Sequence, residues 1–330
     1  MKKISIITYY LIMILLSAGC IHQYPDMEID DTTPVNVTVN VEIDSNLSIF
    51  QSVSRSSSLP QGQKRRFIID VFQNGKPITE KRVLTAEAEE VEEGKFLIPI
   101  SLQLKAQQYT FVVWSDYIPT EEEEKDAHFI AENLTNVYLH EHYCSDCEHR
   151  AAFCGTMEAD FTPYKDGESV HVQQHITLKR PQAKFRIVST DRDEFITRVK
   201  TRGDTPQDSY QAKISYEYFF PTAYNITGDV LCDSKTGINF IAPCTLETNE
   251  DGECELISDY VFAGKDASYV SLTLEIMDGT GKVISRATGV QVPLKQGQLT
   301  TVTGKFLTTM MRPGINIDNS YEGEFNITIP

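Results

Sequence analysis

The side chains best suited to chemistry lie together in one stretch, His140-Glu141-His142-Tyr143-Cys144-Ser145-Asp146-Cys147-Glu148-His149, with Cys154 close behind. Zinc takes thiolate and imidazole ligands in a tetrahedron, and a C-x-x-C pair supplies two thiolates from one tight turn. Cys144, Cys147, Cys154 and one histidine could therefore complete a structural site. Such sites usually draw their second pair of ligands from another turn, and cysteines of exported chains are oxidised more often than metallated. The expectation is a disulfide among these three cysteines, with no metal and no cofactor. Beyond the first thirty residues there is no Gly-rich phosphate loop, nucleophile elbow or zinc-protease helix. Carboxylates are so numerous that some pair must lie close by chance, which identifies no acid/base dyad. The residues read as those of a non-enzymatic protein. Arg202-Gly203-Asp204, followed by Thr205-Pro206, has the composition of a loop that could bind integrins, but three residues recur by chance.

Cys20 carries a more specific signal. Lys2 and Lys3 precede an apolar run from Ile4 to Leu16, and Ser17, Ala18 and Gly19 lead into the cysteine, which is the order of an export signal. The run is shorter than the roughly 20 residues a helix needs to cross hydrocarbon. Leu16-Ser17-Ala18-Gly19-Cys20 resembles a bacterial lipobox, in which the cysteine thiol receives a diacylglyceryl group and becomes the new N-terminus; here Ser17 stands where the pattern usually has Leu. Residues 1–19 are thus expected to be a lipoprotein signal peptide. Cys20 is the expected site of lipid attachment, and the polar, acidic residues 20–34 form a tether. The mature protein would be held to membrane lipid on the outer membrane, facing the cell surface.

The elements that would position these residues are strands. Val35 to Ile43 alternates apolar and polar residues without a break, which is the period of a half-buried strand. Phe67 to Phe72 runs into Asn74-Gly75, a strong hairpin signal, and Phe96 to Leu104 and Tyr109 to Trp114 continue the pattern. Thr120 to Leu134, opening with four glutamates, reads as a solvated surface excursion with room for a short helix. Ile176, Leu178, Phe185 and Ile187 alternate on either side of Arg180-Pro181, and further strands follow at Ile214 to Phe220, Tyr269 to Met277, Val283 to Val292, Leu299 to Thr308 and Phe325 to Ile329. Short alternating runs separated by turn residues indicate an all-β protein. We expect two tandem β-sandwich domains, residues 35–178 and 179–330.

Composition sets limits on partners. The formal net charge of −17 argues against nucleic acid and against electrostatic docking on anionic lipid heads. With Cys20 set aside, Cys144, Cys147 and Cys154 lie in the first half and Cys232, Cys244 and Cys254 in the second, and spacing alone cannot pair them.

Several short motifs in order resemble the Bacteroidota lipoproteins related to the fimbrial anchor family. Tyr109-Thr110-Phe111-Val112-Val113-Trp114 is similar to that family's Y-x-F-x-x-W strand closing the first domain's core. Leu178 to Lys184 is similar to its L-x-R-x-x-A-K lead into the second domain. Asp259 to Phe262 and Val302 to Thr308 resemble later strands, and Pro313-Gly314-Ile315 leads into the ending of related lipoproteins. The resemblance implies two transthyretin-like sandwiches and a fimbrial anchor or fimbria-associated adhesion protein that meets other surface subunits by strand exchange. The His140 to Cys154 segment departs from that family's pattern. The other class of function is a surface module for glycans or host protein, for which Tyr210, Tyr216, Tyr218, Phe219, Phe220 and Tyr224 could supply aromatics, although most of them read as core. Phe325 to Ile329 could complete its own sandwich or be donated to a neighbour.

Replacing Cys20→Ala is expected to abolish incorporation of a fatty-acid analogue and move the protein from the membrane fraction to soluble material. Equal labelling of variant and wild type would sink the lipoprotein reading.

Overall fold

In the computed structural model, the described residues are 34–43, 62–87, 89–92, 95–121, 126–140, 148–165, 170–201, 210–248, 254–308, 310–311 and 325–329. Cys20, Cys144, Cys147 and the Arg202 to Asp204 tripeptide lie outside them.

The strands of the first half are β1 (Pro34–Ile43), β2 (Gln63–Gln73), β3 (Lys76–Pro77), β4 (Val83–Thr85), β5 (Glu89–Glu92), β6 (Lys95–Lys105), β7 (Gln108–Pro119), β8 (Phe129–Ile130), β9 (Val137–Leu139), β10 (Phe153–Asp160) and β11 (Val170–Leu178). Then follow β12 (Gln182–Ser189), helix α1 (Arg192–Thr201), β13 (Tyr210–Tyr216), β14 (Phe220–Asn225), β15 (Val230–Lys235), β16 (Asn239–Cys244), β17 (Cys254–Phe262), β18 (Ser268–Met277), β19 (Val283–Leu294), β20 (Leu299–Gly304), β21 (Met310–Met311) and β22 (Phe325–Ile329).

Two sheets face each other in the first half, in the orders β11-β1-β6-β5 and β10-β7-β2-β3, with β4 also on β2. The alternation in β1 does what its period demands: Val35, Val37, Val39, Val41 and Ile43 are buried against Phe67, Ile69, Phe111 and Val113 of the opposite sheet. Asn74 (φ 50°) and Gly75 (φ 75°) turn β2 into β3, both in the left-handed region that a tight hairpin of this kind requires. At Gly155 in β10 a Cβ would lie 2.8 Å from the Thr177 carbonyl oxygen, so only glycine lets β10 approach β11 this closely. Next to it, Cys154 and Lys179 exchange backbone hydrogen bonds of 2.8 and 2.9 Å.

The second half repeats the plan with sheets β17-β12-β20-β22 and β16-β13-β18-β19-β21. In each half the opening strand, β1 or β12, sits between an antiparallel partner, β6 or β17, and a parallel one, β11 or β20. Parallel pairs need long crossovers, and here the crossover is nearly the whole domain. The chain is all-β, as expected, and β22 pairs in parallel with β20 of its own half.

Three expectations require correction. Thr120 to Leu134 is no solvated excursion: among its described residues there is no helix, and Phe129, Ala131 and Leu134 are fully buried. The polar opening masks an apolar continuation that is pinned at both ends. Arg66, itself buried, bonds Asp116 at 2.7 Å and Asp126 at 2.8 Å, while Arg82 donates to the Ala131 carbonyl at 2.5 Å. Second, Trp114 does not close the core of the first sandwich. Strand β7 is buried on both faces: Phe111 and Val113 point into the sandwich, whereas Val112 and Trp114 point the other way, into a third core. Third, a helix stands at α1, in a chain whose sequence periods indicate strands. Its acidic first turn (Asp193, Glu194) and basic last turn (Arg198, Lys200) suit the helix dipole, but Phe195 alone is buried, so no apolar stripe announced it.

The third core joins the halves. Trp114 meets Phe129 edge-on at 5.2 Å, Phe129 packs on Phe262 at 5.6 Å, and Phe262 stacks on Tyr224 at 5.8 Å between centroids. A fifth sheet, β15-β14-β9-β8, takes two strands from each half, with Ala223 opposite Tyr138 and Tyr224 opposite Val137.

Phe129→Ala is expected to cost about 3–5 kcal/mol in chemical denaturation, the range for emptying a fully buried aromatic site. A cost below about 1 kcal/mol, as for a surface residue, would contradict the shared core.

Candidate functional site

The fifth sheet creates a cavity that both halves line. It holds about 310 Å³ and is bordered by Asn136, Tyr138, Leu139 and His140 from the first half and by Thr222, Ala223, Asp233, Lys235 and Ile238 from the second. That volume is at the lower end for small-molecule sites. Its wall exists because β9 and β14 pair across the junction, and β15 extends it as a hairpin. Register slips at Pro221/Ala223 and Ala223/Tyr224 mark irregularities that twist β15 away from a flat ladder.

What aims the hairpin is buried polar chemistry behind it. Asp229, in the turn between β14 and β15 with φ 52°, accepts hydrogen bonds from Lys265 at 2.6 Å, from Gln296 at 3.3 Å, and from Lys179 and the Tyr224 hydroxyl. Partial burial alone would raise its pKa, but the donors from Lys179, Lys265, Tyr224 and Gln296 outweigh it and hold the carboxyl well below the usual range. Deeper still, Asp259 pairs with Arg150, accepts from the Tyr216 hydroxyl at 2.6 Å and takes the Tyr260 backbone N–H at 2.8 Å. Gln182 completes the seam, accepting from the Ala152 N–H and donating to the Arg150 carbonyl, each at 3.0 Å. Arg180 lies over the rings of Phe153 and Tyr260 at 4.6 and 5.6 Å.

Within the cavity, Tyr138 is partly exposed and offers a ring face, while Asn136, Asp233 and Lys235 offer polar groups. The Thr222 hydroxyl is buried in the wall and has no hydrogen-bond partner among the described residues. A buried unpaired hydroxyl is costly, which makes it a natural acceptor or donor for something entering from outside. Tyr218 and Phe219, at 66% and 72% exposure, stand beside the end of the wall where Phe220 pairs with Lys235. Of the aromatics expected from sequence, Tyr210, Tyr216, Phe220 and Tyr224 are core and only these two are surface. Tyr138, Asn136 and Thr222 were missed. No motif marks them, because strand pairing across the halves is what brings them together.

Of the three cysteines in the Cys/His-rich segment, Cys154 alone is among the described residues. Cys154 is a buried thiol in the third core, and burial pushes its pKa up, so it is neither an active nucleophile nor a ready ligand. Cys154 is thus bridged to neither Cys144 nor Cys147, which lie outside the described residues, and Cys232, Cys244 and Cys254 are also thiols. Among the described residues no group of histidine, cysteine and carboxylate side chains has metal-binding geometry. The described helix is too short and polar to cross a membrane.

Residues 30–330 match the family of unknown function DUF6562. The chain belongs to that family. No curated protein matches it. Among solved structures it is similar to the fimbrial anchor protein Mfa2 from Porphyromonas gingivalis, at 14% identity over 77% of this chain and 82% of that one, with a TM-score of 0.39. It is also similar to a candidate polysaccharide-binding protein from Bacteroides thetaiotaomicron, at 14% identity, 77% and 80% coverage and a TM-score of 0.44. A candidate cell adhesion protein from Bacteroides ovatus matches at 10% identity, 82% and 92% coverage and a TM-score of 0.42.

Asp229→Asn is expected to destabilise the protein by about 1–2 kcal/mol at neutral pH, as for loss of charge-assisted hydrogen bonds on a partly exposed group. Because the folded carboxyl titrates below its unfolded value of about 4, its stabilisation is present above that pH and fades as pH falls through the folded value. The gap between variant and wild type should therefore narrow in denaturation curves taken below about pH 4. A constant gap would mean the carboxylate charge is irrelevant.

Proposed function

We propose that this protein is a non-enzymatic lipoprotein of the cell envelope that serves adhesion or surface structure, as a fimbrial anchor or fimbria-associated subunit. In this reading residues 1–19 direct export, acylated Cys20 holds the chain in the outer membrane, residues 20–34 span the gap, and residues 35–178 and 179–330 are the two working domains at the cell surface. Its partners are membrane lipid and other surface or fimbrial subunits.

The observation that carries the proposal is the edge strand β15. All six of its residues, Val230 to Lys235, are exposed, and it pairs only with β14 among the described residues. A row of unpaired N–H and C=O groups can accept a foreign strand, and natural proteins that leave such an edge open with apolar residues on it usually have a use for it. Val230 is 50% exposed and Leu231 lies beside it. Strand exchange at this edge would join subunits without disturbing either core. Val230→Lys together with Leu231→Lys should leave the melting temperature within a few degrees of wild type and leave surface retention unchanged, while abolishing co-purification with the neighbouring surface subunits. Retained co-purification would exclude this edge as the contact.

A second reading, a surface module for glycans, is favoured by the cavity at the domain junction. The Tyr138 ring, the Thr222 hydroxyl and the polar groups of Asn136 and Asp233 suit a neutral sugar, whose apolar face stacks on an aromatic and whose hydroxyls exchange hydrogen bonds. Thr222→Val keeps the shape and removes the hydroxyl. It is expected to weaken a sugar identified by glycan array about tenfold in calorimetry, corresponding to roughly 1.4 kcal/mol. No binding to any glycan by the wild-type protein would remove this reading.

A further inference from the structure

Sequence spacing cannot pair the cysteines of the second half, but the fold places two of them together. Cys244 ends β16 and Cys254 begins β17. Strand β16 is the edge of one sheet and β17 the edge of the sheet facing it, and the approach of the two strands puts both on the same side of the second sandwich. They also lie at the same end. Cys244 pairs with Tyr210, the first residue of β13, and Cys254 pairs with Ser189, the last residue of β12. Helix α1 connects β12 to β13 there, with Phe195 packed edge-on against Tyr210 at 5.7 Å.

Both side chains point inward, at 2% and 1% exposure, into one hydrophobic core. The two strands come within 8 Å of each other, Cα to Cα. Arg192 ties the region from the helix side: its guanidinium donates to the Leu246 carbonyl, two residues past Cys244, and its charge acts on the Cys254 thiol. Cys154, by contrast, shares its core with no other described cysteine, and Cys232 is exposed on β15.

We infer that Cys244 and Cys254 form an inter-sheet disulfide when the chain folds in an oxidising compartment. The inference rests on the export reading above. The structure with thiols is the reduced state of this site. On oxidation each Sγ–H bond gives up its proton, one Sγ–Sγ bond forms, and two electrons pass to the disulfide of a thiol oxidoreductase or of oxidised glutathione, which leaves as a dithiol or as two thiols. Burial pushes the Cys254 thiol up, which lowers its thiolate fraction and slows exchange at the closed core. The bridge then clamps the two sheets at the edge opposite β21 and β22, much as inter-sheet bridges do in other sandwiches.

The test starts with the full mature chain, reduced, denatured and refolded in a glutathione redox buffer, then trapped with an alkylating agent and digested without reduction. The expected result is a linked peptide pair containing Cys244 and Cys254, with Cys154 and Cys232 alkylated, and a melting temperature several degrees above that of the reduced protein. Cys244→Ala/Cys254→Ala should lose most of that gain in melting temperature on oxidation. Alkylation of both Cys244 and Cys254 in the refolded wild type, or their linkage to other cysteines, would overturn the pairing. The same mapping on thiol-trapped cells separates the two claims. Free thiols on a protein recovered from the envelope overturn the pairing, whereas free thiols on a cytoplasmic protein that links correctly on refolding overturn the export reading and leave the pairing standing.

Discussion

The arrangement depends on one act of burial, the removal of Trp114, Phe129, Tyr224 and Phe262 from water in a core that belongs to neither sandwich. Fully burying one large apolar side chain contributes about 1.5–3 kcal/mol, and each half alone would leave its share of these rings exposed. A linker between two independent sandwiches would permit relative motion by default. Here the rings fix the relation of the halves, and the Arg150–Asp259 pair with its Tyr216, Tyr260 and Gln182 partners gives that relation a single register. A buried ion pair is weak evidence for stability but a strong penalty on misplacement, because sliding one half would strand a charge.

From that junction follows the fifth sheet, and from the sheet follow both candidate binding features. Strands β9 and β14 can pair only because Tyr224 is held against Phe262 on one face, and their pairing turns the 126–140 segment from a surface excursion into structural wall. The cavity and the open edge of β15 are consequences of the same geometry.

Asp229 shows how the surface is coupled to the interior. It sits where the β14–β15 hairpin turns and draws donors from the domain connection (Lys179), from the turn after β17 (Lys265) and from the loop before β20 (Gln296). Three separate chain segments thus converge on one carboxylate, so the hairpin keeps its aim while its outer residues stay free for contact.

The sequence by itself determined the periods and therefore the class. Alternation in Val35 to Ile43 and the Asn74-Gly75 turn could mean little else than strands and a hairpin, because side-chain direction in a strand repeats every two residues and a tight turn demands left-handed backbone. The Cys20 motif likewise depends only on local order. What periodicity cannot carry is which face of a doubly buried strand meets which partner: Trp114 and Phe111 lie on opposite faces of β7, and only tertiary packing assigns one to the sandwich and the other to the junction. The same limit hid Phe129 behind its glutamates, left Tyr138 and Thr222 unmarked, and kept Cys244 and Cys254 unpaired on paper. Such contacts join residues far apart in the chain, or on facing sheets, through backbone pairing and apolar burial, and neither leaves a signature in the spacing of a single sequence.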